Sequence, residues 1–403
     1  MSDQKIGIWL IGAWGGVATT TVTGLAALQR GLTPEYGLVS ALPQFKTLNL
    51  ADWSRFVVGG HEIRETSYVE AAQDLHKTSR VFEPATLEQI TGTLEEFDAN
   101  VRPGTLANVG PTIASLASGG VLKFGDETQV DTIARLKQDM AEFQSKHNLA
   151  HVVVVNVSST EPPPSDEIKG LSWADLEAKI KQGDSPIPAS VLYAIAAMQD
   201  GCSHVNFTPS IGCDLPALDE LSQKMGTVHA GRDGKTGETL LKSILAPMFA
   251  DRHLNVMSWV GHNIFGNLDG KVLDDPVNKS NKVHSKDHLL TEILGYKPQT
   301  LVSIEYIESM GDWKTAWDHI HFQGFLGTPM VMQFTWQGCD SLLAAPLVLD
   351  LVRFTERQWR RGGQSGIMGF LGSFFKSPMG TDRPQFHKQF DDLEAWAVEV
   401  AGE

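Results

Sequence analysis

The sequence has few of the residues that build disulfide-rich, nucleic-acid-binding or membrane-anchored proteins. Its 403 residues include only three cysteines (Cys202, Cys213 and Cys339), and these lack the spacing of metal ligands. A disulfide scaffold is therefore excluded, and a reducing compartment is expected. Basic residues are also scarce, because 33 lysines and arginines stand against 48 aspartates and glutamates, which gives a net charge of −15. This charge argues against a nucleic-acid partner or an anionic membrane surface.

Long hydrophobic runs are missing as well, although the stretch from Gly7 to Gln29 carries no charge. It divides into the apolar run Ile6–Ile11, a turn with three glycines and the threonine-rich segment Val17–Leu28. A strand, a glycine turn and a helix explain this stretch better than a membrane span or a signal peptide. We therefore expect a cytoplasmic protein without a membrane partner.

Strand-like and helix-like patterns alternate along most of the chain, which is long enough for one large or two ordinary domains. Short apolar runs predict buried strands at Ile6–Ile11 and His151–Val157, a second strand at Leu38–Leu42 and a strand end at His204–Thr208. The predicted helices are Val17–Leu28, Val69–Thr78, Thr86–Asn100, Asp131–His147 and Ala189–Gln199. This alternation predicts an α/β fold with a mainly parallel sheet.

The pattern changes from about residue 240 onward. Leu301–Glu308 and Met330–Gln337 are rich in strand-forming residues or alternate apolar and polar side chains. We expect an antiparallel or mixed sheet in this second region.

Three glycines follow the first predicted strand and precede the first predicted helix. Gly12, Gly15 and Gly16 lie where backbone amides at a helix N-terminus bind the pyrophosphate of a dinucleotide. The spacing departs from G-x-G-x-x-G, and no acidic residue ends the second strand predicted at Leu38–Leu42. A cofactor site and an ordinary tight turn remain alternatives.

Four lysines lie together between residues 271 and 286 of this acidic chain. Lys282 and Lys286 stand four residues apart, so on a helix they share a face and repel each other mildly. An anion such as a sugar phosphate would turn this repulsion into attraction. A solvated helix face is the alternative.

Eight segments in sequence order resemble the myo-inositol-1-phosphate synthase (inositol-3-phosphate synthase) family. The closest match is CDSLLAAP at Cys339–Pro346, which is similar to the family's C-E-D-S-L-L-A-x-P block. The eight segments are Gly59–Ile63, Val152–Glu161, Gly231–Gly237, Asn263–Gly270, Asn281–Lys286, Gly311–Asp318, Cys339–Pro346 and Phe374–Pro378. Each is weak alone, but eight in the right order, over residues 5–380, are specific.

The resemblance implies a Rossmann-like, doubly wound parallel sheet with an inserted α+β domain. It places the NAD-binding domain at residues 1–240, completed by 340–403, and a catalytic and tetramerisation domain at 241–339. It also implies a homotetramer that converts D-glucose 6-phosphate into 1D-myo-inositol 3-phosphate with tightly bound NAD, regenerated in each turnover. C5 is oxidised, the enolate formed at C6 attacks C1, and the C5 ketone is reduced; a monovalent or divalent cation is left open.

The resemblance further assigns roles to individual residues, and it assigns no metal ligand. The predicted catalytic set is Lys282, Lys286, Lys314, Lys376, Asp233 and Asp269. The predicted NAD-binding set is Gly12, Gly15, Gly16, Thr160, Asp233, Asn267 and Asp340. Lys314 is predicted to exchange a proton with the C5 oxygen, and Asp318 to help orient the lysines and the nicotinamide.

The sequence also departs from the family pattern near these positions. Arg232 stands where the family has an acidic residue, and Val17–Thr19 replaces an Asn-Asn-Gly sequence. Three alternatives therefore remain: the same chemistry on another sugar phosphate, a simple dehydrogenase that releases NADH, and a non-catalytic protein that binds NAD or a sugar phosphate. The retained lysines argue against the last two, because hydride transfer or binding alone does not require enolate stabilisation.

Overall fold

Two β-sheets organise the chain, and the computed structural model describes residues 4–183, 186–267, 270 and 289–402. The first sheet has seven strands, all parallel, in the order β3-β2-β1-β4-β5-β6-β11. These strands are β1 (Ile6–Ile11), β2 (Phe56–Glu62), β3 (Val101–Pro103), β4 (His151–Asn156), β5 (Ser203–Asn206), β6 (Val228–Gly231) and β11 (Gly366–Ile367). The first six follow the strand order of dinucleotide-binding folds, in which ligands bind where the order reverses between β1 and β4.

Helices cover both faces of the parallel sheet, which confirms the doubly wound α/β fold. Val153 and Val155 of β4 pack into the hydrophobic core on one face, while Val152 and Val154 pack into the core on the other. A strand buried on both faces needs a continuous apolar run, which explains the sequence HVVVVN. The helices are α1 (Gly16–Gln29), α2 (Tyr68–Ser79), α3 (Pro84–Asp98), α4 (Pro111–Ala114), α5 (Gln129–His147), α6 (Asp166–Lys169), α7 (Trp173–Gln182), α8 (Ala189–Gln199), α9 (Pro216–Met225), α10 (Gly237–Asp251), α11 (Asp340–Arg361) and α12 (Phe386–Ala401). None of the described helices combines the length and the apolar character that crossing a bilayer requires.

The second sheet is mixed, as the sequence predicts. Its four strands run in the order β10-β9-β7-β8, with β7 and β8 parallel and the other pairs antiparallel. They are β7 (Asn255–Phe265), β8 (Gln299–Tyr306), β9 (Trp313–Gln323) and β10 (Pro329–Cys339). One face packs against α10, where Phe249 contacts the rings of Trp259 and Phe322.

The prediction of a second strand at Leu38–Leu42 is wrong. Val39–Ala41 forms a short 3-10 helix instead. The Asp350 carboxylate of α11 accepts hydrogen bonds from the backbone amides of Val39 (2.6 Å) and Ser40 (3.0 Å). This tertiary contact uses the amides that a strand would offer to its neighbour, so the local preference for β-structure is overridden.

The second strand is β2, which the sequence pattern conceals because two glycines lie in its middle. Glycine weakens an isolated strand, but here it permits close approach. A Cβ at Gly59 would lie 2.8 Å from the Trp9 ring, and one at Gly60 would lie 2.3 Å from the Leu10 carbonyl oxygen. Glycine is therefore required in β2, because Trp9 and Leu10 of β1 occupy the space that a Cβ would need. These contacts form only in the folded sheet.

A buried histidine pair crosses the parallel sheet from β5 to β6. His204 is in register with His229 and is fully buried. Neither ring nitrogen of His204 has a hydrogen-bond partner among the described residues. Burial, together with the charge of His229, lowers the pKa of His204 to about 3.

This environment predicts that His204 contributes to acid lability, as does the buried His151, whose pKa burial also lowers to about 3. Because His204 stays neutral in the folded protein while the unfolded chain binds a proton near pH 6.5, stability should fall as the pH drops below about 6.5. The contribution of His204 is about 1.4 kcal/mol per pH unit between about pH 6 and pH 4. We expect His204→Leu to flatten the pH dependence of the unfolding free energy, measured by urea denaturation at several pH values.

The exposed His387 provides the matched control. His387→Leu should retain the pH dependence of the wild-type protein. Equal slopes for His204→Leu and the wild type would contradict the assignment.

Candidate active site

A cavity of about 820 Å³ opens at the carboxyl edge of the parallel sheet. Its volume lies within the range of small-molecule sites, about 300–1,000 Å³. The carboxyl ends of β1, β2, β4, β5 and β6 contribute to its wall, and residues of the second sheet and of α11 complete it. Among its lining residues are Gly12, Glu62, Thr160, Thr208, Asp233, Lys314 and Asp340.

The glycine turn forms one wall of this cavity. Gly12 has a φ of +81°, and a Cβ there would lie 2.9 Å from the Ser158 Cα. The amide of Gly15 donates to the Gly12 carbonyl at 2.9 Å, and α1 begins at Gly16 without an acidic residue in its first turn. The tight turn thus brings an uncompensated helix N-terminus to the cavity, an arrangement that suits a pyrophosphate.

Thr160 supplies a second feature that fits a cofactor. It is 1% exposed, lines the cavity, and its hydroxyl has no hydrogen-bond partner among the described residues. A buried hydroxyl without a partner is costly, so a polar ligand in the cavity would satisfy it. The residues present therefore fit a dinucleotide.

Lys376 is held at the cavity by Asp233, and both residues belong to the catalytic set predicted from the sequence. The Lys376 ammonium donates to Asp233 Oδ1 at 2.8 Å, and the Lys376 backbone amide donates to the Asp233 carbonyl at 2.6 Å. Both side chains are largely buried. A cation fixed in this way can act on an anionic ligand without first becoming ordered.

Lys314 reaches the same cavity from β9. Its ammonium lies 3.7 Å from Asp340 Oδ1 and 4.9 Å from the centre of the Phe265 ring. Lys314 and Lys376 also line a smaller adjoining cavity. The structure therefore brings together two lysines that are separated by 62 positions in the sequence.

Asp312, to which the sequence analysis gives no role, connects the elements around this site. Its Oδ1 accepts a hydrogen bond from the Asn267 amide at 2.8 Å, and its Oδ2 accepts one from the Ser341 backbone amide at 2.9 Å. The Ser341 hydroxyl also donates to Oδ2, and Thr20 of α1 donates to that hydroxyl. The Asp312 backbone amide donates to the Ser79 hydroxyl at the end of α2. In the sequence, Asp312 is marked only by its place in the Gly311-Asp312-Trp313-Lys314 pattern. Its hydrogen-bond partners become evident only when the second sheet is formed.

Glu161 is another residue whose importance the sequence does not reveal. It follows β4, lines the cavity and accepts hydrogen bonds from both the backbone amide (2.9 Å) and the hydroxyl of Ser190. Burial raises its pKa to about 7, although the hydrogen bonds from Ser190 oppose that shift. A carboxyl group that titrates near neutrality in a cavity can take part in proton transfer.

Glu62 is the acidic residue at the end of the second strand that the sequence analysis did not find. The misplacement of that strand hid it, and the true strand β2 ends at Glu62. Its Oε2 accepts a hydrogen bond from the Trp14 backbone amide in the glycine turn at 2.8 Å.

The remaining predicted residues fall into three groups. Asn267 and Asp340, which are predicted to bind NAD, line the cavity. Asp318 is a fully buried residue of β9, where the Trp259 indole donates to its Oδ1 at 2.7 Å, and it is outside the cavity lining. The residues outside the described ranges are Lys282, Lys286 and Asp269.

Arg232, which departs from the family pattern, also lies behind the wall. It donates to Asp214 Oδ2 at 2.6 Å and to the Pro209 carbonyl at 2.8 Å. It therefore fixes the loop after β5.

Within the described ranges, no group of three or more histidine, cysteine or acidic side chains is arranged to hold a metal ion.

Comparison with known proteins gives one consistent result. The family model described as myo-inositol-1-phosphate synthase, an NAD-binding family, matches residues 6–397. Inositol-3-phosphate synthase 1 of Bacteroides thetaiotaomicron is 33% identical over 399 residues, which cover 93% of this chain and 90% of the relative. Inositol-3-phosphate synthase of Trypanosoma brucei brucei is 28% identical, with 89% and 73% covered.

Two solved structures share the fold. Inositol-3-phosphate synthase of Caenorhabditis elegans superposes with a TM-score of 0.88 at 22% identity, covering 99% of this chain and 86% of the other. A myo-inositol-1-phosphate synthase-related protein of Thermotoga maritima gives 0.78 at 22% identity, with 98% of each chain covered.

Removal of the Asp312 carboxylate should test its connecting role. Asp312→Ala leaves the Ser341 amide and the Asn267 side chain without their acceptor, so we expect the free energy of unfolding to fall by about 3 kcal/mol. Urea denaturation measures this change. Asp391→Ala, at an exposed position of α12, should change it by less than about 0.5 kcal/mol. Equal stability of the two variants would show that Asp312 does not join these elements.

Proposed function

The chain belongs to the myo-inositol-1-phosphate synthase family, and we propose that it cyclises D-glucose 6-phosphate to 1D-myo-inositol 3-phosphate. The observation that carries this proposal is the convergence of Lys314 and Lys376 on the cavity that begins at the glycine turn. A cyclase must stabilise negative charge on oxygen next to the place where a hydride is exchanged. Two anchored cations beside a dinucleotide site provide these conditions.

The cofactor that fits the cavity is NAD, in agreement with the NAD-binding family model. Gly12, Gly15 and Gly16 would hold its pyrophosphate, and Thr160 would contact a polar group of the bound cofactor. When bound, NAD accepts a hydride from C5 of the sugar and returns it after ring closure.

Lys314 acts as the acid and base at the C5 oxygen in this proposal. As the neutral amine it accepts the hydroxyl proton while C5 is oxidised, and the ammonium so formed returns a proton while the ketone is reduced. Between these steps a proton leaves C6, the resulting enolate carbon forms a bond to C1, and the former aldehyde oxygen takes up a proton. No proton or electron is gained or lost overall, as an isomerisation requires.

The other cations stabilise the charge that this sequence creates. Lys376, held by Asp233, lies where it can bind an anionic oxygen of the substrate. We assign binding of the phosphate and polarisation of the reacting oxygens to Lys282 and Lys286. Asp269 and Asn267 orient the lysines and the nicotinamide, and Asp340, whose Oδ1 lies 3.7 Å from the Lys314 ammonium, contacts the cofactor.

We further propose a homotetramer in which residues 241–339 form the catalytic and tetramerisation domain. Residues 1–240 with 340–403 form the NAD-binding domain. Leu301, Trp317 and Val331 are exposed on one face of the second sheet, and burial of these apolar side chains against another copy would support self-association. All three cysteines are buried and unpaired, which supports a cytoplasmic location.

The same chemistry on another sugar phosphate is a second candidate. Arg232 favours it, because this residue replaces an acidic residue of the family pattern and fixes Pro209, which lines the cavity. A shifted wall would change which sugar is accepted while the lysines continue to perform the same steps.

Substitution of Lys314 tests the central proposal. We expect Lys314→Ala to lower turnover of D-glucose 6-phosphate by about 10²- to 10⁴-fold, because the proton exchange at C5 loses its acid and base. Phosphorus NMR measures the inositol phosphate, and absorbance measures free NADH. The thermal unfolding midpoint shows whether the fold persists.

Lys388→Ala, at an exposed position of α12, is the matched control and should retain turnover. Unchanged turnover in Lys314→Ala would refute the assigned role. Net release of NADH by the wild-type protein would identify a dehydrogenase, whereas conversion of a different sugar phosphate alone would favour the second candidate.

A further inference from the structure

The end of β2 carries two opposite charges at the edge of the cavity. Glu62 is the last residue of this strand, and Arg64 follows two positions later. Both side chains line the cavity. Arg64 is 27% exposed, whereas Glu62 is only 4% exposed.

This position decides which nicotinamide dinucleotide a Rossmann-type site accepts. An acidic side chain at the end of β2 binds the 2′-hydroxyl of the adenosine ribose in NAD enzymes, whereas an arginine nearby accommodates the 2′-phosphate of NADP. A free carboxylate also repels that phosphate, which excludes the phosphorylated cofactor.

The Glu62 carboxylate is already engaged within the protein. Oε1 accepts hydrogen bonds from the Ile63 amide (2.8 Å), from the Arg64 amide (3.3 Å) and from Arg64 Nε (3.4 Å). Oε2 accepts from the Trp14 amide (2.8 Å) and from Arg64 Nη2 (3.2 Å). A carboxylate offers about four lone-pair sites, so five donors leave none for a ribose hydroxyl.

The ion pair also changes the charge that a cofactor meets. Arg64 neutralises Glu62, and the guanidinium is the more exposed member of the pair. Because Arg64 Nε and Nη2 already donate to Glu62, a phosphate would bind to the remaining N–H groups of Nη1 and Nη2 through charge-assisted hydrogen bonds. Glu65 and Asp74 also line the cavity, and their charge limits how strongly a 2′-phosphate is favoured.

We propose that this chain accepts NADP⁺ as well as NAD⁺, and that Arg64 is the residue that binds the 2′-phosphate. The proposal rests on the dinucleotide site of the proposed function. It does not depend on which sugar phosphate is cyclised.

Direct binding measurements test this inference without turnover. Isothermal titration calorimetry of the purified, nucleotide-free chain gives a Kd for NAD⁺ and one for NADP⁺. We expect the two wild-type values to lie within about tenfold of each other. Arg64→Ala should weaken NADP⁺ binding about ten- to hundredfold and change the Kd for NAD⁺ by a much smaller factor.

Two further variants sharpen the test. Arg64→Lys keeps the charge but loses the paired geometry, so its Kd for NADP⁺ should lie between those of the wild type and Arg64→Ala. Arg55→Ala removes the same charge immediately before the opposite end of β2, where the side chain donates to the Gln4 carbonyl, and it should leave both Kd values unchanged. Thermal unfolding midpoints confirm that each variant folds.

The outcomes separate this inference from the proposed function. NAD⁺ binding with a Kd for NADP⁺ more than about tenfold weaker would overturn the inference and leave the cyclase intact. An unchanged ratio of the two Kd values in Arg64→Ala would also overturn it. Binding of neither nucleotide would remove the dinucleotide site on which both proposals rest.

Discussion

The buried Asp312 carboxylate is the interaction on which the arrangement of the two sheets depends. It accepts hydrogen bonds from Asn267, which follows β7, and from Ser341 at the start of α11, while its backbone amide binds Ser79 of α2. α11 packs against the parallel sheet, so this one side chain joins that sheet to β9, the strand that carries Lys314. An acceptor that is buried with several donors tolerates little displacement, because any unpaired group costs the desolvation energy of burial.

Two lysines reach the cavity, although acidic side chains outnumber basic ones in its lining. Lys314 and Lys376 lie beside Asp340 and Asp233, so each ammonium is oriented by a carboxylate before a ligand arrives. The net charge of −15 would repel a free sugar phosphate at long range, but such repulsion is screened by salt within about a Debye length. The positions of the nearby charged groups therefore decide where an anion binds. They favour an anion only where Lys314 and Lys376 reach the cavity.

The glycines of β2 and the Glu62–Arg64 ion pair that follows them both depend on the close packing of β2 against β1. Gly59 and Gly60 allow β1 and β2 to approach closely, and this approach brings Glu62 within 2.8 Å of the Trp14 amide. The same carboxylate then holds Arg64 at the cavity. The sequence pattern predicts the second strand at Leu38–Leu42, because that run is locally more strand-like than the glycine-containing β2. The Asp350 carboxylate, distant in sequence, binds two of its amides and prevents pairing.

The sequence by itself determined the α/β class, the glycine turn, five of the twelve described helices, the mixed second sheet and the family. These features depend on local periodicity, on turn residues or on the order of motifs, all of which can be recognised along one chain. Only the tertiary structure decided that β2 is the second strand, that Asp312 joins the sheets and that Glu161 and Glu62 line the cavity. Their surroundings come from segments tens to hundreds of residues away. Burial, hydrogen-bond saturation and pKa depend on those neighbours, so no local pattern could have specified them.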